Sequence, residues 1–162
     1  MTYNLYLKIA VFKTLKANNI KTLIGRTDVV DFPKLELFGI DIKVDSGAYT
    51  SSFHCHHIEV EDEVLKCQFL DPKHDKYHEK YFYFKEFIQK NVKSSNGSIE
   101  NRFIIETEIL IFNEVHNIEL SLTERGSMMY PVLLGRKFLS KKFIIDTAKK
   151  NISFKKINSK NQ

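Results

Sequence analysis

Residues 40–44 read IDIKV, so apolar side chains alternate with charged ones. Successive side chains of an extended chain point to opposite faces, and this period of two therefore predicts a strand with one buried face. Similar apolar stretches separated by turns predict other short strands at residues 22–30, 35–38, 53–60, 64–70, 81–84, 103–112, 115–123, 132–134, 143–146 and 152–154. Many short strands with little helix predict a mainly β fold, a closed or nearly closed β-barrel.

Three further features complete the predicted organisation. Residues 137–142 follow an apolar run that ends in glycine, and this pattern predicts one short helix. The last two strands, 143–146 and 152–154, are predicted to close the domain as a hairpin. Residues 1–20 carry apolar side chains spaced roughly as one helical face, which indicates an N-terminal extension that docks on the barrel or stays mobile.

The predicted strand 40–44 runs directly into Asp45-Ser46-Gly47-Ala48. A glycine allows a tight turn and lets another chain approach the backbone closely. A carboxylate at the end of a rigid strand is well placed to be aimed at a substrate, and the serine beside it offers a hydroxyl for hydrogen bonding. Asp, Ser and Gly are also the residues that ordinary turns favour, so the tripeptide alone leaves a plain turn open.

A second motif lies about ninety residues further on, where Leu133-Leu134-Gly135-Arg136 ends an apolar run. Together the two motifs resemble the two-part signature of the retropepsin-like aspartic proteases. Within that superfamily the chain looks closer still to the RimK/LysX-associated branch, whose members carry the name ATP-dependent zinc protease. The matching stretches are residues 24–26, 43–59, 92–97, 122–139 and 143–146, in family order.

The resemblance implies a retropepsin-like barrel over residues 21–155, with 1–20 as an extension and 156–162 as a flexible basic tail. It also implies an aspartic endopeptidase that needs no cofactor and acts on a peptide or protein. Because each chain has one such motif, Asp45 would face its own copy across a homodimer axis. Two carboxylates held about 3 Å apart share one proton, so that one acts as acid and the other as base.

The resemblance also assigns supporting roles around that aspartate. Ser46 would tie the two motif loops together, and Gly47 and Ala48 would contribute backbone groups. Leu134 and Gly135 would shape the floor of the site, for which plain core packing is the compatible alternative.

Arg136 matches an arginine that in viral retropepsins pairs with an aspartate two residues after the motif glycine. Tyr49 holds that place here. Glu124 or Asp146 could substitute as the partner, and the sequence does not choose between them.

The turn that contains Ser94, Ser95, Asn96 and Gly97 is the candidate for a flap that covers substrate. An asparagine followed by glycine favours a tight hairpin turn, and an ordinary exposed hairpin is the equal alternative. A flap of this kind would exclude water from the site.

A competing hypothesis is a zinc site. His54 and His56 are spaced so that a strand would place both on one side, and Cys55 and His57 lie beside them. Zinc binds His and Cys side chains, but no HExxH motif or closed ligand set accompanies this cluster. A polar surface strand is the ordinary alternative. A third hypothesis keeps the fold without proteolysis, as a peptide-binding or modification-linked partner of an ATP-grasp ligase of the RimK type.

Composition narrows the remaining choices. At 162 residues and 43% hydrophobic content the chain is expected to be one ordinary domain. No apolar run approaches the length of a membrane span and no secretory signal is evident, so cytoplasmic location without a membrane partner is expected. The net charge of +5 comes largely from lysines near the C-terminal end, which favours a solvated surface over nucleic-acid binding. Cys55 and Cys67 are expected to be reduced.

Overall fold

The computed structural model of the protein describes residues 20–93, 97–124 and 129–159. Over these ranges the chain forms short strands, two short α-helices and a 3-10 turn at Pro33–Leu35. The strands are β1 Thr22–Gly25, β2 Thr27–Phe32, β3 Leu37–Val44, β4 Ser51–Glu61, β5 Val64–Phe69, β6 Phe82–Phe84, β7 Ile88–Lys93, β8 Ile99–Ile111, β9 Glu114–Thr123, β10 Val132–Leu134 and β11 Phe143–Asp146. The helices are α1 Arg136–Leu139 and α2 Ile152–Asn158.

Within the described residues, six strands close into a barrel. Hydrogen-bonded neighbours follow the order β10, β3, β2, β8, β9 and β4, and β10 also pairs with β4, which completes the circle. Two of the pairings are parallel, β10 with β3 and β4 with β9. A closed sheet leaves no free edge on these strands. The mainly β fold and the closed barrel predicted from the sequence are thus confirmed.

Apolar side chains at alternate strand positions fill the barrel. On β3 the buried and exposed positions alternate from Ile40 to Val44, as the hydrophobic pattern predicts. Phe53 of β4 lies at the centre, with its ring centroid 5.0 Å from that of Phe32 and 4.8 Å from that of Phe69. Removing these rings from water is the main source of stability that the barrel interior offers.

Three further pairings extend the structure beyond the barrel. β5 and β6 continue the sheet outward from β4, and β7 pairs with β8 as a hairpin. β1 lies parallel to β11, with Thr22 opposite Phe143. The predicted closing hairpin of β11 with residues 152–154 is therefore wrong, because β11 takes β1 as its partner.

Residues 152–154 instead begin α2, and a buried carboxylate explains why. Asp28 of β2 is 1% exposed, and it accepts hydrogen bonds from the backbone N–H groups of Ser153 at 2.9 Å and Phe154 at 3.1 Å. These are first-turn N–H groups that a helix cannot satisfy internally, so the aspartate stabilises the helix start. The Ser153 hydroxyl accepts a further bond from the Phe112 N–H at 2.6 Å.

The helix predicted at residues 137–142 is also corrected. It begins one residue earlier, at Arg136, and ends at Leu139. Ser140 has extended backbone angles and Lys141 has a φ of 68°, so neither continues the helix.

The predicted N-terminal extension lies outside the described residues, except for Ile20. Of the predicted tail, residues 160–162 also lie outside them, whereas α2 continues to Asn158. In the part of the chain that is described, no helix has the length and apolar character needed to cross a membrane.

Candidate active site

Asp45 lies immediately after β3, at the point where that strand leaves the barrel wall. Its backbone N–H donates to the carbonyl of Leu134 at 2.9 Å, which joins the end of β3 to the end of β10. The preceding residue, Val44, donates to the carbonyl of Arg26 on the other side at 2.9 Å. The end of β10 on one side and the β1–β2 connection on the other therefore fix the backbone that carries the carboxylate. Asp45 is half-buried and remains accessible at the surface.

The loop after β3 folds back onto the Asp45 carboxylate. One carboxylate oxygen, Oδ1, accepts hydrogen bonds from the N–H groups of Gly47 at 3.0 Å and Ala48 at 3.2 Å. Gly47 does not have a left-handed φ angle, so the backbone conformation does not require a glycine at this position. A Cβ at this position would instead lie 3.2 Å from Oδ1, and glycine leaves room for the carboxylate. The loop thus orients the aspartate through its own backbone.

Gly135 connects β10 to α1 in a space too small for any side chain. Its N–H donates to the hydroxyl of Ser51 at 3.0 Å. An added Cβ would lie 2.6 Å from the Thr50 carbonyl carbon and 2.7 Å from the carbonyl oxygen of Tyr49, both of them backbone atoms. Leu134, just before it, is fully buried. The predicted floor of the site is therefore also part of the core.

Arg136 binds the motif loop directly. Its Nη1 donates to the carbonyl oxygen of Ser46 at 2.9 Å and to that of Gly47 at 3.0 Å, and its backbone N–H donates to the carbonyl of Ala48 at 2.9 Å. From the sequence, only the carboxylates of Glu124 and Asp146 were candidate partners of Arg136. No local pattern marks a backbone carbonyl as the acceptor. One of those candidates, Asp146, instead accepts from the N–H of Ala148 at 3.0 Å.

The candidate flap belongs to the β7–β8 hairpin. Its arms pair from Ile88 with Ile104 to Lys93 with Ile99, and most of β7 is exposed. The proposed tip residues Ser94, Ser95 and Asn96 lie outside the described residues, and Gly97 has a left-handed φ of 87°. The flap assignment therefore stays a prediction, now attached to a hairpin whose arms are described.

Comparison with known proteins identifies the family of the chain. The RimB-like family, described as retropepsin-like aspartic endopeptidase RimB, matches residues 23–156. The chain belongs to the RimB-like family. The match includes both motifs and all the strands of the barrel.

Curated relatives of this RimB-like chain carry a different name. Two of them are called probable alpha-L-glutamate ligase, one from Shewanella halifaxensis at 36% identity over 145 residues and one from Desulfotalea psychrophila at 32% over 147 residues. The alignments cover 78% and 79% of this chain but 28% of each relative. The chain thus spans little more than a quarter of the length of these relatives.

A crystal structure of a Legionella pneumophila protein of unknown function, from the DUF785 family, is similar in fold. It superposes with a TM-score of 0.64 at 23% identity, and the match covers 82% of this chain and 98% of that one. At this identity the likeness shows the fold shared with the RimB-like chain.

The histidine cluster of the RimB-like chain is not arranged as the zinc hypothesis requires. His54 is 5% exposed whereas His56 is exposed to solvent, and the β4–β5 register shifts between Cys55 and His57. The carboxylate of Asp71 is 4.0 Å from His54 Nε2. Over residues 20–93, 97–124 and 129–159, no group of three His, Cys, Asp or Glu side chains is placed to hold a metal ion. The residues that are described therefore do not fit a zinc site.

His54 is instead a buried neutral side chain. Neither ring nitrogen has a hydrogen-bond partner among the described residues. Burial lowers the pKa of His54, and the attraction of Asp71 opposes this shift only in part. Cys55, its neighbour, is fully buried together with Cys67, and both are free thiols. Burial and the adjacent Cys67 raise the pKa of Cys55, so it is an unreactive thiol.

Proposed function

We propose that this chain is an aspartic endopeptidase in which Asp45 from each of two identical subunits forms the catalytic pair. One observation carries the proposal: a half-exposed aspartate, at the end of a barrel strand, is held by two loop N–H groups and by a loop that Arg136 fixes. Asp71 and Asp146 accept similar N–H bonds in ordinary turns, and Asp45 differs from them because Arg136, from a distant part of the chain, fixes its loop. Membership of the RimB-like family supports the same reaction class.

The second subunit is needed because the chemistry takes two carboxyl groups. Each chain carries one Asp-Ser-Gly-Ala sequence, and twofold symmetry brings identical residues together at an axis. Tyr49, directly after the loop, is 62% exposed and offers apolar area near that axis. Because the carboxyl groups would share a proton, their pKa values would belong to the pair.

In the proposed reaction, the ionised carboxylate takes a proton from a water molecule as the water oxygen bonds to the peptide carbonyl carbon. The protonated carboxyl group donates its proton to the carbonyl oxygen, which gives a tetrahedral diol. Transfer of a proton to the amide nitrogen and breakage of the C–N bond then release a carboxylic acid and an amine. Each step exchanges protons between water, substrate and the two aspartates.

The test is Asp45→Asn, which removes the acid and base functions and preserves the size of the side chain. Peptide cleavage, followed by mass spectrometry of a mixed peptide pool, is expected to fall to background while the circular dichroism spectrum and subunit association stay unchanged. Asp41→Asn is the matched control, because Asp41 lies four residues earlier on β3 and faces solvent. Full activity in the Asp45 variant would overturn the proposal.

A mixing experiment tests the shared pair itself. If mixed dimers are inactive, replacing part of the native protein by Asp45→Asn protein at constant total concentration, under exchange conditions, lowers activity as the square of the native fraction. A linear decrease, or a strictly monomeric active enzyme in analytical ultracentrifugation, would contradict the two-subunit site.

The names of the curated relatives favour a second candidate, a peptide-binding partner of an ATP-grasp glutamate ligase without hydrolysis. The support is that about a quarter of each ligase-named relative aligns with this domain. Saturable peptide binding with no turnover, and co-purification with such a ligase, would favour this function. Inhibition of cleavage by a statine-type inhibitor would favour the endopeptidase, and inhibition by chelators would favour a metal enzyme.

A further inference from the structure

A cavity of about 260 Å³ is lined by residues of α1 and of the β8–β9 hairpin, together with Ser51 and Lys142. It approaches the size of pockets that hold small molecules, roughly 300–1,000 Å³. Its floor is apolar, formed by the buried side chains of Ile118 and Phe138. Its rim carries charged residues of both signs, which plain core packing does not require.

Three of the charged residues at the rim together carry an excess of negative charge. Glu106 of β8 lies directly opposite Glu119 of β9 in the strand register, and like charges in this position repel. Lys137 of α1 pairs with Glu119, and this hydrogen bond raises the pKa of the lysine. Since one lysine balances two glutamates, these three residues keep about one net negative charge.

Lys142, the second lysine of the rim, is held differently from Lys137. The Lys142 ammonium donates to the carbonyl oxygen of Phe138 at 3.2 Å and lies 5.0 Å from the centre of the Phe138 ring. Among the described residues, no carboxylate forms an ion pair with this ammonium. A cation over an aromatic face remains able to bind an anion with its free donors.

We infer that this cavity binds a zwitterion with an apolar side chain, namely a free aliphatic amino acid or one of similar size. The ligand's ammonium would lie beside Glu106, its carboxylate beside Lys142, and its side chain against Ile118 and Phe138. This assignment is independent of the proposed peptide hydrolysis. It predicts that both charged groups of the ligand contribute to binding, since each compensates an unbalanced charge of the protein.

L-Leucine is the probe, and isothermal titration calorimetry on the full chain is the measurement. Saturable binding in the millimolar range or tighter is expected. 4-Methylpentanoate lacks the ammonium and 3-methylbutylamine lacks the carboxylate. Each is therefore expected to bind at least about tenfold more weakly than leucine, in line with loss of a charged hydrogen bond. Absence of saturable leucine binding would overturn the inference.

Two variants locate the binding. Lys142→Gln is expected to weaken leucine about tenfold and leave 3-methylbutylamine unaffected, whereas Glu106→Gln should weaken leucine similarly and leave 4-methylpentanoate unaffected. Matched controls are Lys90→Gln on β7 and Glu108→Gln on β8, neither of which lines the cavity. Leucine affinity that is unchanged in both cavity variants would show that it binds elsewhere and would overturn the inference.

Amide NMR shifts provide a second location test that does not depend on substitutions. Leucine is expected to shift the amide signals of cavity residues such as Ser51, Ile118 and Phe138. Shifts confined to α2, at residues such as Ile152 and Lys155, would place the ligand on a different surface and contradict the assignment.

Discussion

The Asp45 loop and the buried residue His54 lie at opposite ends of the same short strand, β10. The Asp45 N–H donates to the carbonyl of Leu134 at one end, and the His54 N–H donates to that of Pro131 at the other, at 2.8 Å. Both backbones are thus fixed by the barrel in similar ways. Their side chains differ: the aspartate is half-exposed and its Oδ1 accepts two hydrogen bonds, whereas the histidine is buried and neither of its ring nitrogens has a hydrogen-bond partner among the described residues.

The difference shows that a polar residue beside a rigid strand becomes a candidate for chemistry only with solvent access and support. The carboxylate of Asp45 can exchange protons with a substrate while two N–H groups keep its orientation. The buried imidazole of His54 is held neutral, because the desolvation cost of charging it exceeds the opposing attraction of Asp71. Substitutions at Gly135, Arg136 and His54 test this contrast.

Gly135→Ala is expected to have the largest effect on stability. Its Cβ would collide with backbone atoms of Tyr49 and Thr50, which cannot move without displacing the motif loop. The free energy of unfolding should fall by about 3 kcal/mol, as for overpacked cores. Urea denaturation followed by circular dichroism is the measurement.

Gly97→Ala is the matched control for that substitution. Among the described residues, no atom beyond the chain neighbours of Gly97 lies within 4 Å of an added Cβ, and its φ of 87° opposes the change. It should cost about 1 kcal/mol. Equal costs at the two glycines would show that the loop adapts easily and that the Asp45 region is less rigid than the contrast requires.

Arg136→Met is expected to separate activity from stability. It keeps an unbranched side chain and removes the donor to the Ser46 and Gly47 carbonyls. Because that donor is exposed, unfolding should change by only about 1 kcal/mol, whereas peptide hydrolysis should fall roughly a hundredfold as Asp45 loses its orientation. Steady-state kinetics should place the loss in kcat.

Arg136→Lys is the control for the role of the donor, since one ammonium can still reach two adjacent carbonyls. It should recover much of the lost activity. A methionine variant with native kcat would show that the loop needs no support from α1.

His54→Leu is expected to have the smallest effect of the three substitutions, a change in the pH dependence of stability. In the native protein the pKa of His54 is below 6.5, and in the unfolded chain it is near 6.5. Between these values the unfolded state binds more protons, so stability falls on acidification below about pH 6.5, by at most about 1.4 kcal/mol per pH unit.

The leucine variant should lose this part of the acid sensitivity, measured as the melting temperature between about pH 7 and pH 5. His57→Gln is the matched control, on the same strand but partly exposed beside Glu59. An unchanged pH profile in the leucine variant would mean that His54 takes up protons in the native state, and the contrast with Asp45 would then weaken.

Local patterns predicted much of the fold and the centre of the site. The alternation on β3 placed a strand before Asp45, and the apolar run before Gly135 placed β10, because burial on one or both faces leaves a direct trace in the sequence. The prediction for the end of the chain was wrong because it also relied on local pattern alone. Residues 152–154 have the apolar character of a strand, and only the distant carboxylate of Asp28 determines that they start a helix.

By itself, the sequence determined that the chain is a β-barrel with an aspartate after one strand and a glycine after another, because strand periodicity and the two motifs are properties of neighbouring residues. Other features depend on the folded chain: Arg136 holds the Asp45 loop through carbonyls, His54 is buried with no hydrogen bond to its ring among the described residues, and two glutamates and two lysines line one cavity. These features join residues far apart in the chain. Their distances are fixed only when the barrel closes, so no local pattern encodes them.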